Sequence, residues 1–291
     1  MRYVLRAVAT ISVVTLGGCQ GVLDPKGPIA AAERLILFNS LGIMLAIVIP
    51  TILATIAVAF WFRSSNKRAT YLPDFEYSGR LELLVWSIPA MTVLLVGGVA
   101  WVGAHDLDPG KPLASTVKPV NVQVVSLDWK WLFIYPEQGI ASVNHLTVPV
   151  GTPINFALTS SGVMNSFFVP QLGSQIYTMA GMATRLHLQA DHPGVFPGLS
   201  ANFSGDGFSD MRFTVDAVPA EQFAEWANTA RGSGPALDMA AYADLAKPSQ
   251  AVAPSTYRAV APNLFNAIVN AGMPTHDASQ HSHSAGMEMG Q

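Results

Sequence analysis

Two uninterrupted apolar runs limit this chain more than any other feature. Residues 41–62, LGIMLAIVIPTILATIAVAFWF, carry no charge; as a helix they would extend about 33 Å, enough to cross a hydrocarbon core of about 30 Å. Pro50 is tolerable there because neighbouring helices can satisfy the carbonyl it leaves free. Residues 81–103, LELLVWSIPAMTVLLVGGVAWVG, form a second run whose one charge is Glu82, near its start. A hairpin of two spanning helices follows. The segment between them, RSSNKRATYLPDFEYSGR, contains Arg63, Lys67, Arg68 and Arg80, whereas the flank after the second run reads AHDLDPG. Positive residues stay cytoplasmic, so the connecting segment is expected inside and both ends of the hairpin outside.

Composition agrees with a membrane protein: of 291 residues, 50% are hydrophobic and 12% charged. A net charge of −3, without a basic run interleaved with aromatics, excludes a nucleic-acid partner. The single cysteine, Cys19, can form no internal disulfide and cannot alone supply a cysteine-based metal centre. It follows Arg2, Arg6, the apolar run AVATISVVTL and the tetrapeptide LGGC, the order of a secretory signal. LGGC resembles the lipobox of bacterial lipoproteins. That resemblance implies a signal peptide over residues 1–18 and an acylated Cys19 as mature N-terminus, outside the cytoplasmic membrane. One acyl group anchors weakly, so the two spans of a segment over 19–110 would hold the chain.

Beyond residue 110 the pattern changes to short alternating runs broken by Gly and Pro. PVNVQVV, DWKWLFIY, TPINFALTS, SFFVP, TRLHLQA and MRFTV read as strands, with Trp129, Trp131, Phe133 and Tyr135 expected on one face of the second. Strands at this spacing suggest a β-sandwich or barrel over residues 111–216. PAEQFAEWANTAR then opens a helical arm over 217–272, and residues 273–291, with His276, His281 and His283, read as a polar, disordered tail. The fold class expected is a membrane-anchored all-β protein.

A signal sequence, a two-helix hairpin and an outer β-domain opening on a Trp-x-Trp strand together resemble subunit II of the haem–copper respiratory oxidases. In the cytochrome c oxidase branch that subunit is a cupredoxin-like domain with a dinuclear copper centre. Its ligands are a His near an HSF segment and a Cys-x-Glu-x-Cys-x-x-x-His-x-x-Met loop. Here VMNSFFVP places Asn165 at the first His position. SANFSGDGFSDM places Ser200, Asn202, Ser204 and Phe208 at the Cys, Glu, Cys and His positions, and only Met211 is retained. Serine hydroxyls are neither soft nor easily deprotonated, so the loop is expected to hold no copper. LDWKWLFIYPEQGIA, VMNSFFVPQLGSQIYTMAGM, TRLHL and APSTYRAVAPNLFNAIVNAGM further resemble the quinol-oxidising, cytochrome bo-type branch of the family.

That resemblance implies a non-redox subunit of a proton-translocating quinol:oxygen oxidoreductase in the bacterial inner membrane, its C-terminal domain periplasmic. Haems and copper would belong to catalytic subunit I, ubiquinol would be the substrate of the complex, and cytochrome c would have no role. Partners would be subunit I, further small membrane subunits and lipid. LELLVWSIP resembles the family's E-x-x-W-x-x-x-P segment, which implies a proton-pathway entrance at Glu82; as a lone residue it would merely favour a helix N-terminus. Trp129 and Trp131 are expected to pack against subunit I, Trp129 above all. His187, between Leu186 and Leu188, is expected to face solvent. No catalytic residue is expected in the isolated chain. The rival reading is a stand-alone membrane lipoprotein whose β-domain binds an extracytoplasmic ligand or partner.

Overall fold

The computed structural model describes residues 21–70 and 72–272. Cys19 and the histidine-containing tail lie outside them. Two compact units appear, a helical one up to Lys111 and a β-domain from Pro112.

The first unit is a hairpin of α1 (Pro28–Trp61) and α2 (Gly79–Asp106). Both extend beyond the apolar runs: α1 begins with Pro at its first turn, where the missing N–H would be unpaired in any case. Pro50 and Pro89 sit inside the helices. Thr51, Thr55 and Thr92 return their hydroxyls to the carbonyls four residues back, at 2.8, 2.8 and 2.7 Å, so no hydroxyl hydrogen of these three faces hydrocarbon unpaired. Mean hydropathy reaches 2.6 in α1 and 2.1 in α2, and neither apolar window is buried within the chain. A core helix of a soluble protein would be covered; these are not, as spanning helices require. Gly103 lets them approach, since a Cβ there would lie 2.6 Å from Ile36 Cδ1.

The second unit is a two-sheet sandwich. Its strands are β1 (Val120–Leu127), β2 (Lys130–Tyr135), β3 (Ile140–Val143), β4 (His145–Pro149), β5 (Ile154–Ser160), β6 (Asn165–Phe168), β7 (Ile176–Thr178), β8 (Thr184–Leu188), β9 (Gly194–Ser200) and β10 (Arg212–Val218). One sheet has the order β3-β2-β1-β5-β8, the other β4-β10-β9-β6-β7. The β1–β5 and β4–β10 pairs are parallel, so their connections cross between layers. Trp131, Phe133 and Tyr135 alternate inward from β2. Trp131 meets the Phe167 edge at 5.4 Å, and Phe167 stacks on Phe213 at 4.9 Å. Each such contact adds about 0.5–1.5 kcal/mol beyond area burial.

Both faces of β2 are buried because the arm covers the outer one. The arm is not purely helical as the sequence suggests. It contains α3 (Ala220–Gly232), β11 (Ala236–Leu237), α4 (Met239–Leu245), β12 (Ser255–Tyr257), β13 (Ala259–Val260) and α5 (Leu264–Ala271). β12 joins the first sheet beside β3. Leu237, Leu264, Phe265 and Ile268 close over Val125, Leu127, Leu132 and Ile134 in a second core. Lys130, 1% exposed, bonds this covering: its ammonium donates to the carbonyls of Lys247 at 2.8 Å and Asp128 at 3.3 Å, and to Ser249 Oγ. Burial pushes its pKa down, with Asp128 opposing.

Candidate functional site

The β9–β10 connection, residues 201–211, folds back over the start of β6. Ser200 N–H donates to the Met211 carbonyl at 3.1 Å, and Ala201 N–H to the Ser166 carbonyl at 2.9 Å. Asn165 and Ser200, far apart in sequence, thereby meet: Ser200 Oγ donates to Asn165 Oδ1 at 3.1 Å, with the Asn202 carbonyl 3.2 Å away. Asn165 Nδ2 donates to Val163 O, and Asn202 Nδ2 to Met164 O, both at 3.2 Å. Ser204 Oγ faces Met211 Sδ at 3.9 Å. Phe208 packs edge-on against Phe203 with ring centroids 5.6 Å apart. Asn165, Ser200 and Met211 are buried at 2%, 3% and 1% exposure.

Asn165, Ser200, Asn202, Ser204 and Met211 are thus knit together, with Phe208 in the short 3-10 turn Phe208–Asp210 just before Met211. Their chemistry does not fit copper. Two hydroxyls, two amides and a phenyl ring offer no soft anionic donor, and the Met211 thioether is the one soft ligand atom among them. The amide donors and the Ser200 hydroxyl are spent on protein oxygens. Among the described residues, no group of three or more His, Cys, Asp or Glu could hold a metal ion. The arrangement is a satisfied polar plug, and its physical role is to hold the loop's shape.

Trp129 is the loop's outer brace. It occupies the two-residue turn between β1 and β2 at φ 65°, left-handed backbone that a bulky residue rarely adopts. It therefore leaves the strand and does not share a face with Trp131, Phe133 and Tyr135. Its indole Nε1 donates to the Ser204 carbonyl at 3.1 Å. The ring lies so close to the loop backbone that a Cβ on Gly207 would come within 2.5 Å of it. Trp131 is 0% exposed and packs inside the sandwich, out of reach of any partner surface.

His187 does not face solvent. It is 8% exposed, and Nδ1 lies 2.8 Å from Asn155 Oδ1 because the β5–β8 register sets the two opposite each other. Asn155 in turn donates to Asn121 at 3.2 Å, extending a polar row across three strands. Asn144, which no sequence signal marked, sits at φ 55°; its side chain accepts from Trp131 N–H and donates to Val252 O, both at 2.8 Å. Glu82 lies in the first turn of α2, where a carboxylate suits the helix dipole.

Residues 121–218 match the family model described as cytochrome c oxidase subunit II, periplasmic domain, and residues 231–276 the one described as COX aromatic rich motif. The chain is similar to cytochrome bo(3) ubiquinol oxidase subunit 2 of Pseudomonas aeruginosa, 46% identical over 287 residues, 98% of this chain and 87% of that one. It is 49% identical over 262 residues to ubiquinol oxidase subunit 2 of Acetobacter aceti, covering 89% and 85%. Quinol oxidase subunit 2 of Bacillus cereus is 40% identical over 238 residues, covering 80% and 81%.

Proposed function

Since the chain belongs to the ubiquinol oxidase subunit 2 family, we propose that it is the non-redox second subunit of a proton-translocating oxidase that passes electrons from ubiquinol to dioxygen. The observation that carries this reading is the loop over β6, where neutral amides, hydroxyls and a phenyl ring occupy the positions that the family resemblance gives to copper ligands. Electrons entering from a membrane-dissolved quinol need no relay in the outer domain. The haems and the copper of the oxygen-reducing site then reside in subunit I, and cytochrome c is not a donor.

In this reading the hairpin and an acylated Cys19 anchor the chain, with the 63–80 segment inside and the β-domain in the periplasm. The described spans and the excess of Arg and Lys in that segment support this orientation. The β-domain caps subunit I, with Trp129 bracing the docking loop. Glu82, at the inner end of α2, gathers protons for a route continued in subunit I. A carboxylate at that boundary can exchange protons with the cytoplasm.

The test is donor choice. The chain, affinity-tagged and purified from its native membrane, is expected to carry haem with it and to drive oxygen uptake with ubiquinol but not with reduced cytochrome c. Uptake driven by cytochrome c, or a well-folded haem-free chain, would overturn the reading; the second result would favour a stand-alone lipoprotein.

A further inference from the structure

A cavity of about 830 Å³ opens where the connecting segment leaves the two helices. That volume lies within the range of small-ligand pockets, roughly 300–1,000 Å³. Its apolar wall comes from Val58 and Phe62 at the end of α1, Leu72 and Phe75 in the segment, and Leu81 in the first turn of α2. Phe62, Leu72 and Phe75 are 61%, 64% and 59% exposed, although all three lie beyond the helices. Arg63 also lines the cavity.

The turn that carries Arg63 is built. Asn66 N–H donates to Arg63 O at 2.9 Å, Asn66 Nδ2 donates to Trp61 O, and Asn66 Oδ1 accepts from Arg68 N–H at 3.1 Å. It gathers Arg63, Lys67 and Arg68 within six residues. Asp74 and Glu76 are the only carboxylates of the segment, yet among the described residues none of Arg63, Lys67, Arg68 and Arg80 pairs with a carboxylate. Three charges of one sign on a closed turn repel one another. A neutral occupant would leave that repulsion in place, whereas a phosphate supplies both the opposite charge and the acceptors.

We propose that this cavity binds one anionic phospholipid, its acyl chain along Phe62, Leu72 and Phe75 and its phosphate at Arg63. Its position in the inner leaflet rests on the orientation given under Proposed function. Basic residues at an inner membrane boundary attract anionic headgroups by about 1 kcal/mol each, a factor of about five in affinity.

The experiment uses the complex purified from its native membrane and reconstituted in nanodiscs containing phosphatidylglycerol and phosphatidylcholine in varied ratio, with photoreactive benzoylphenylalanine in place of Phe75. Mass spectrometry of the irradiated peptide is expected to find phosphatidylglycerol adducts well above its share of the bilayer. Arg63→Gln should lower that enrichment about fivefold, while Lys111→Gln, on the other flank of the hairpin, should not. Adducts in proportion to bilayer composition, no lipid adduct, or a crosslink to another protein subunit would each overturn the proposal. Should the Arg63 variant fail to assemble, shown by lost haem, the composition series on the remaining complex decides alone. Orientation is read separately, by labelling a cysteine placed at Ser65 from either side, so that error is distinguishable from absence of the lipid.

Discussion

Trp129 shows how one residue can be legible in kind and misplaced in role. Alternation assigns it to a strand face, but the β1–β2 turn closes in two residues and throws it out at positive φ, against Gly205 and Gly207. Periodicity carries no signal for such a turn. The glycines do: a Cβ at 207 would collide with the indole. Gly207→Ala is therefore expected to destabilise the β-domain by about 1–3 kcal/mol through overpacking and to shift Trp129 fluorescence, with thermal unfolding of the full chain as the check. His187 is buried where alternation places it outward, because alternation tells which face a residue takes, not whether a polar neighbour closes over it. Tyr135 gives a pH dependence. Its hydroxyl is fully buried, bonded to Thr147 O at 3.1 Å and Thr147 N–H at 2.9 Å, and burial pushes its pKa well above the usual value near 10. The raised folded-state pKa adds stability that is complete below the unfolded value and is lost as pH rises beyond it, since only the unfolded chain ionises there. Unfolding midpoints should fall above about pH 10. Tyr135→Phe should flatten that fall while costing about 1–3 kcal/mol at neutral pH, because Thr147 N–H loses its acceptor.

The helices and inner strands were readable because each pattern has one physical cause: continuous apolarity for α1 and α2, alternation for β1, β5 and β10. The arm was less so. Its β12 is three residues long and gains its place from pairing with β3, a contact no local pattern encodes. The double burial of β2 follows from the same arm and explains why KWLFIY has almost no polar position. Phe265, on α5, seals that second core at 6% exposure. Phe265→Ala should cost about 3–5 kcal/mol, seen as a lower urea midpoint and faster proteolysis of the arm. In the opposite sheet Gly198 lies under the Phe213 ring, where a Cβ would come within 2.2 Å of it. Gly198→Ala should therefore disturb the β9–β10 pair, and an unchanged unfolding midpoint would contradict this packing.

For the molecule as a whole, the resemblance carried by the two-helix hairpin, DWKW, NSFF and the spacing from Ser200 to Met211 pointed to the family, and the similarity to ubiquinol oxidase subunit 2 sequences over nearly the full chain agrees. The geometry adds what holds the loop's shape: its own hydrogen bonds and the Trp129 indole. The proton entrance proposed at Glu82 belongs to this scale, because it has meaning only in the complex. Glu82→Ala should slow quinol-driven oxygen uptake several-fold with haem content unchanged, and Glu82→Asp should restore much of it; equal rates in all three would remove Glu82 from the route. The central claim, a subunit that keeps the frame of a redox loop and has given up its metal, is tested most directly by the ratio of copper to haem in the complex purified through this chain. The account predicts only the copper of the oxygen-reducing site, and no change in that ratio when Met211 is replaced by Leu. Two further copper atoms per complex, lost in the Met211 variant, would contradict it.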